Sequence, residues 1–138
     1  MFIDWMAIDC DDPRALARFW SEALGYRVLE DDDPDEVMIM PPRAEPGIRL
    51  LFLRVPDRKT VKNRIHLDLR ADDQEEEVER LISLGAERAD IGQGEVSWVV
   101  LADPEGNEFC ILSDLNDEDL ARGRPRASSE PADREPSG

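Results

Sequence analysis

The sequence of 138 residues holds only two cysteines and one histidine, and its 17 lysines and arginines face 33 aspartates and glutamates. The formal charge is −16 and the isoelectric point near 4.3. Such a surface repels phosphate backbones and anionic lipid headgroups, which argues against nucleic acid and membrane surfaces as partners. No apolar run approaches the ~20 residues of a membrane span. The opening Met1-Phe2-Ile3-Asp4-Trp5 has no basic segment leading into an apolar stretch, so no signal peptide is expected. Cys10 and Cys110 lie in apolar, strand-like context without zinc spacing, and read as reduced thiols in a cytoplasmic protein. Phosphate loops and Ser-His-Asp patterns are missing as well. Gly92-Gln93-Gly94 neither follows a strand nor opens a helix, so it reads as a turn.

The apolar content is concentrated in residues 1–113. A body of that size buries roughly 65% of its unfolded surface, enough for a core without staples. After Ser113 the chain becomes acidic, with three of the ten prolines and few large apolar residues. Residues 116–138 are therefore expected to form a mostly disordered tail. The expected division is a domain over 1–115, with module one at 1–54, a link at 55–62 and module two at 63–113.

That division comes from an internal repeat. Phe2–Val28 aligns with Asn63–Arg88 at an offset of 61: an alternating strand, an acidic pair (Asp11-Asp12, Asp72-Asp73), then a helix closing on Leu-Gly. An aspartate of each pair suits the helix N-cap, Pro13 the first turn, and Gly25 and Gly85 the C-terminal ends. Leu16, Phe19, Trp20 and Leu24 recur at helical spacing, as do Val78, Leu81, Ile82 and Leu84. Three strands are predicted after each helix: 26–30, 36–40 and 48–54, then 87–91, 96–101 and 108–112. The breaks include Pro41-Pro42…Pro46-Gly47 and Asp103-Pro104-Glu105-Gly106-Asn107. The fold class is α+β, two tandem β-α-β-β-β modules whose bare sheet faces must pair.

The stretches Ile8-Asp9-Cys10-Asp11-Asp12-Pro13 and Asp103-Pro104-Glu105-Gly106-Asn107-Glu108-Phe109-Cys110, within that duplication, resemble the glyoxalase-like branch of the vicinal oxygen chelate superfamily. Glyoxalases, extradiol dioxygenases, bleomycin-resistance proteins and fosfomycin-resistance enzymes belong to this superfamily. The resemblance covers residues 2–113 and implies a half-open barrel in a homodimer, with a small molecule held between modules. In metal-dependent members it also implies a divalent ion, held by the first and last strands of each module. Carried over by position, the module-two ligands fall on His66 and Cys110, and those of module one on Trp5 and near Leu51. Trp5 and Leu51 offer no donor, so no metal-ligand set is assigned and no cofactor is expected with the usual ligands. A divalent metal would need an unorthodox site in which Asp68 and Asp9 join His66, or a softer ion bound by His66 and Cys110 with borrowed donors.

Alternation puts His66, Asp68 and Arg70 on one strand face and Ile65, Leu67 and Leu69 on the other, which should pack on the helices. His66 is then either a cavity histidine that moves a proton or a ring satisfied by Asp68 or Arg70. Trp5, Ala7 and Asp9 should share its cavity, with Trp5 as aromatic wall or as filler of the metal position. Cys110 reads better as an inert strand thiol than as a nucleophile. The Asp103–Asn107 stretch reads as a structural turn. The expected ligand-binding set is Trp5, Asp9, Leu51, His66, Asp68 and Cys110, with His66 as the catalytic candidate. Three functions follow: a binder of a small molecule without the usual metal, a glyoxalase-type lyase or isomerase using His66, or a non-catalytic protein-interaction module.

Overall fold

A computed structural model describes residues 1–29 and 32–113. The tail expected over 116–138 lies outside the described residues.

Two aspartates start the helices. Asp12 accepts the Ala15 amide at 3.1 Å, and Pro13, with its preset φ, opens α1 (Pro13–Leu24). At the other end Gly25 adopts a left-handed φ of 68°, which lets the Tyr26 amide return to the Ser21 carbonyl at 3.0 Å. The second copy repeats the device. Asp73 accepts the Glu76 amide at 3.0 Å, and α2 (Gln74–Leu84) places Glu75, Glu76 and Glu77 at the positive end of its dipole.

The strands of module one are β1 (Trp5–Cys10), β2 (Arg27–Leu29), β3 (Glu36–Met40) and β4 (Arg49–Arg54). Those of module two are β5 (Asp68–Arg70), β6 (Glu87–Arg88), β7 (Val99–Ala102) and β8 (Glu108–Leu112). Each set forms a four-stranded mixed sheet, in the orders β1-β4-β3-β2 and β5-β8-β7-β6. The α+β duplication is thus present. The two sheets do not close into a barrel, in keeping with the expected half-open form, and no ladder joins β1 to β5 among the described residues. Both first strands pair in parallel with the last strand of their own module, and the registers correspond. Ala7 lies opposite Leu51 and Asp68 opposite Cys110.

The strand expected from Asn63 is regular only over Asp68–Arg70. Its partner β8 begins at Glu108, directly after the Asp103–Asn107 turn, so residues 63–67 have little ladder to join. They are tied instead by the Leu67 carbonyl to the Cys110 amide (2.9 Å) and by the Asn63 amide to the Glu108 carboxylate (3.2 Å). Ile65 therefore remains 79% exposed rather than packing on a helix, while Leu67 and Leu69 lie against the core. Ile82 also departs from expectation, at 39% exposed; Leu16, Phe19, Trp20, Val78 and Leu81 are buried.

The modules share one core. Phe109 of β8 packs against both aromatics of α1, with ring centroids 4.8 Å from Trp20 and 6.3 Å from Phe19. Phe19 and Trp20 meet edge-to-face at 5.2 Å. Each such pair adds about 0.5–1.5 kcal/mol beyond the burial itself. The Trp20 indole N–H donates to Asp103 Oδ2 at 3.0 Å, which satisfies a polar atom 83 residues away in the buried centre. Asp103 Oδ1 meanwhile accepts the amides of Glu105 (2.9 Å) and Asn107 (3.0 Å), shaping the turn. Arg80 of α2 reaches the Ala23 carbonyl at the end of α1 at 2.8 Å. No helix among the described residues is long and apolar enough to cross a membrane.

Candidate functional site

Because β1 and β5 are the edge strands of separate sheets, a cleft of about 280 Å³ runs between β1 and residues 63–67. Its walls mix apolar side chains (Met6, Ile8, Ile65, Leu67, Phe109) with the polar Asp9, Asn63, His66, Asn107 and Glu108. Met6 and Ile8 alternate with Ala7 and Asp9 along β1, so the cleft takes in both faces of the strand edge. Wider depressions of about 420 and 530 Å³ lie over the Pro41–Ile48 loop and over the acidic corner at Asp11, Asp57 and Glu105. Neither contains His66.

Most polar groups of the cleft are already engaged. Glu108 pairs with Lys59 at 2.5 Å and accepts the Asn63 amide. Burial works to raise the Glu108 pKa, but hydrogen bonds from Lys59 and Asn63 prevail and hold it below the usual glutamate value. Asp103 is saturated by Trp20 and by its own turn. Asp9 accepts no hydrogen bond among the described residues, so its carboxylate remains available to an occupant of the cleft.

His66 lies at the wall, 40% exposed, with Nε2 3.3 Å from Asp68 Oδ1. A ring nitrogen of His66, a carboxylate oxygen of Asp68 and the sulfur of Cys110 all lie within 4.8 Å of one another. Cys110 is 5% exposed, and burial followed by the Asp68 carboxylate pushes its thiol pKa up. A protonated, buried thiol is a poor nucleophile. Cys10 is pushed up further, to about 12, by burial first and the nearby Glu105 carboxylate second.

The six expected ligand-binding residues thus separate. Asp9 and His66 line the cleft, and Asp68 and Cys110 adjoin His66. Trp5 and Leu51 do not line this cleft. The Trp5 ring is covered by the Arg49 guanidinium at 4.3 Å, and Arg49 also pairs with Asp4. Leu51 stands opposite Ala7 on the inner strand of the same sheet. A hard divalent ion held by both modules does not fit this arrangement. The module-one positions carry an indole under a guanidinium and an alkyl chain, and neither donates to a metal.

The sequence reading assigned no site role to Asn63, Ile65, Leu67, Asn107 or Phe109. A strand expected to be regular from residue 63 hid them; only Asn107, in the turn directly before β8, lies where a strand boundary falls.

A family model described as "Glyoxalase-like domain" matches residues 5–112. Among solved structures, the chain is similar to a glyoxalase/bleomycin resistance protein/dioxygenase family enzyme from Burkholderia phytofirmans PsJN. Identity is 18%, coverage 82% of this chain and 98% of that one, and the TM-score 0.64. The fosfomycin resistance protein FosX of Mesorhizobium loti is 16% identical, with 88% and 98% coverage and a TM-score of 0.63. A FosX variant from Listeria monocytogenes, described with manganese(II) and 1S,2S-dihydroxypropylphosphonic acid, is 15% identical. Coverage there is 89% and 98%, and the TM-score 0.65. At these identities the likeness is one of fold. No curated protein sequence matches the chain.

Proposed function

The chain belongs to the glyoxalase-like domain family, and from that premise we propose that it binds a small molecule in the cleft between its modules, without the two-module divalent metal site. The observation that carries this is the cleft itself, with Asp9 and His66 set among apolar walls. Its volume of about 280 Å³ lies at the lower edge of the usual range for small-molecule pockets. A compact metabolite or drug-like fragment suits it, and a dinucleotide does not. The net charge of −16 and the Asp9 carboxylate disfavour anions. The preferred ligand is therefore neutral or cationic, with an apolar body and a hydrogen-bond donor for Asp9. A homodimer and a cytoplasmic setting belong to the same proposal and rest on family resemblance and thiol content.

The test is a thermal-shift screen of neutral and cationic aromatic fragments on the wild type beside Ile65→Trp. Ile65 is 79% exposed at the cleft, so an indole there fills the space without disturbing the core. Stabilisation of the wild type that vanishes in Ile65→Trp supports the proposal; hits that survive the substitution argue against it.

The His66–Asp68 contact favours a second reading, in which His66 moves a proton in a lyase or isomerase reaction. Asp68 would then orient the ring, as the third group of a base–orienter pair does. Turnover lost in His66→Ala while fragment binding persists would establish it.

A further inference from the structure

We propose that the depression over the Pro41–Ile48 loop binds a small organic carboxylate with an apolar body. It has a volume of about 420 Å³ and shares no lining residue with the cleft, so the inference does not depend on a ligand binding there. Arg27, Arg43 and Arg49 line it, three guanidinium groups on the surface of a chain whose net charge is −16. The strand register brings two of them together. Arg27 stands opposite Met40, and Ile39 opposite Leu50, so the next pair along the β3–β4 ladder is Met40 and Arg49. Opposed partners share a sheet face, and the buried Ile39 and Leu50 occupy the other one. Arg27 and Arg49 therefore flank Met40 on the face turned away from the core.

The three groups differ in what they already hold. Arg49 pairs with Asp4, donates from Nε to the Asp4 carbonyl at 3.1 Å, and covers the Trp5 ring. Arg27 and Arg43 have no hydrogen bond or ion pair among the described residues, and both are exposed. Each offers parallel N–H donors that match the two oxygens of a carboxylate. With Asp4 engaged by Arg49, Glu45 is the acid left on the wall. The charge of the whole chain does not cancel this attraction. Fields between exposed charges fade over about 8 Å at physiological salt, whereas a guanidinium contact acts at hydrogen-bond distance.

The rest of the wall sets the body of the ligand. Met40 and Pro41 contribute apolar surface, and Ile3 and Ile48 are 79% and 45% exposed there. Apolar side chains in water beside unpaired cations suit a molecule that is apolar at one end and anionic at the other. The loop is also built to hold its shape. A Cβ at Gly47 would lie 2.5 Å from the Tyr26 hydroxyl and 2.7 Å from the Pro41 ring, so only glycine fits that approach. The Glu45 amide returns to the Pro42 carbonyl at 3.1 Å, closing a turn in which Ala44 takes a left-handed φ of 67°. A non-glycine residue persists in that conformation where its surroundings fix it. Pro41, Pro42 and Pro46 restrict the backbone further, so little loop entropy is lost when Arg43 engages a ligand.

The experiment titrates the ¹⁵N-labelled full chain with benzoate, with benzamide as its neutral isostere, and with acetate, which keeps the charge without the ring. The expected result is a saturable shift of the Arg27, Ala44, Gly47 and Ile48 amides with benzoate, weaker binding of acetate, and no shift with benzamide. Affinity for benzoate should fall about tenfold in Arg27→Gln and in Arg43→Gln, the loss of one charge-assisted contact. It should rise in Glu45→Gln, which removes a like charge from the wall. All three positions are exposed, so these variants keep the fold, as unchanged urea denaturation would verify. Ile65→Trp should leave the benzoate shifts intact while losing fragment binding, which separates failure of this inference from failure of the cleft reading. No saturable shift with benzoate, equal binding of benzamide, or acetate binding as tightly as benzoate would each overturn the proposal. So would affinity unchanged in both arginine variants, or shifts centred on Met6–Asp9 and Ile65–Leu67.

Discussion

The Glu105 carboxylate, in the turn before β8, accepts the backbone amides of Asp11 and Asp12 at 2.7 and 2.8 Å. Module two thereby satisfies amides at the start of the module-one helix, some ninety residues earlier in the chain. The contact fixes β1 relative to the turn that leads into β8, and so sets one end of the cleft. Replacing Glu105 with alanine should cost about 1–2 kcal/mol, toward the lower figure because the bonds are solvent-exposed. Urea denaturation measures it, and hydrogen exchange should quicken at Asp11 and Asp12 ahead of the rest of β1.

The aromatic contact between modules makes a larger prediction. Phe109→Ala removes the ring that meets Phe19 and Trp20 and should destabilise the fold by about 3–5 kcal/mol. Combined with Trp20→Phe, the loss should be less than the sum of the two single losses, since the pair shares one contact. Strict additivity in denaturation would mean that the modules do not share a core.

Acid sensitivity follows from Glu108 and Glu77. Both have pKa values below the ordinary 4.5: Glu108 through Lys59 and Asn63, against the opposing effect of burial, and Glu77 through its hydrogen bonds from Arg80. A depressed carboxylate stabilises the fold above its unfolded pKa, and the contribution is lost as pH falls through the lower, folded value. Stability should therefore decline with a steepening slope below about pH 4.5. Lys59→Met should cost about 1–2 kcal/mol at pH 7, since Glu108 is only 11% exposed and keeps a single amide partner. The same variant should flatten the acid slope, as read by denaturation at pH 3 to 7.

Thiol chemistry gives a fourth prediction. With its pKa near 12 and 3% exposure, Cys10 should resist maleimide or disulfide-exchange reagents at pH 8 in the folded state. Labelling should occur only through unfolding and accelerate in parallel with urea. Rapid labelling of the folded protein would mean that the β1–β4 region opens locally.

The repeat was legible because its punctuation is local. Asp12, Pro13 and Gly25, and later Asp73 and Gly85, announce helix ends by chemistry that acts within a few residues. The placement of Leu51 and Cys110 at matching register positions followed from the family resemblance and not from the offset of 61. The cleft could be read from neither. Its existence depends on β1 and β5 lying in separate sheets and on β5 starting at Asp68, the latter set by where β8 begins after the Asp103–Asn107 turn. The reach of Glu105 to Asp11, and of the Trp20 indole to Asp103, joins residues whose proximity no periodicity encodes. The same turn chemistry that suggested a structural role for Asp103–Asn107 thus understated it.

The most direct test of the central claim is a ¹H–¹⁵N spectrum of the labelled protein titrated with a fragment that passes the thermal-shift screen. Binding between the modules predicts that amides of Met6–Asp9 and Ile65–Leu67 shift together, with one saturation curve, and that Ile65→Trp abolishes those shifts. Shifts confined to one module, or centred on the Pro41–Ile48 loop, would contradict the account and move the ligand site out of the cleft.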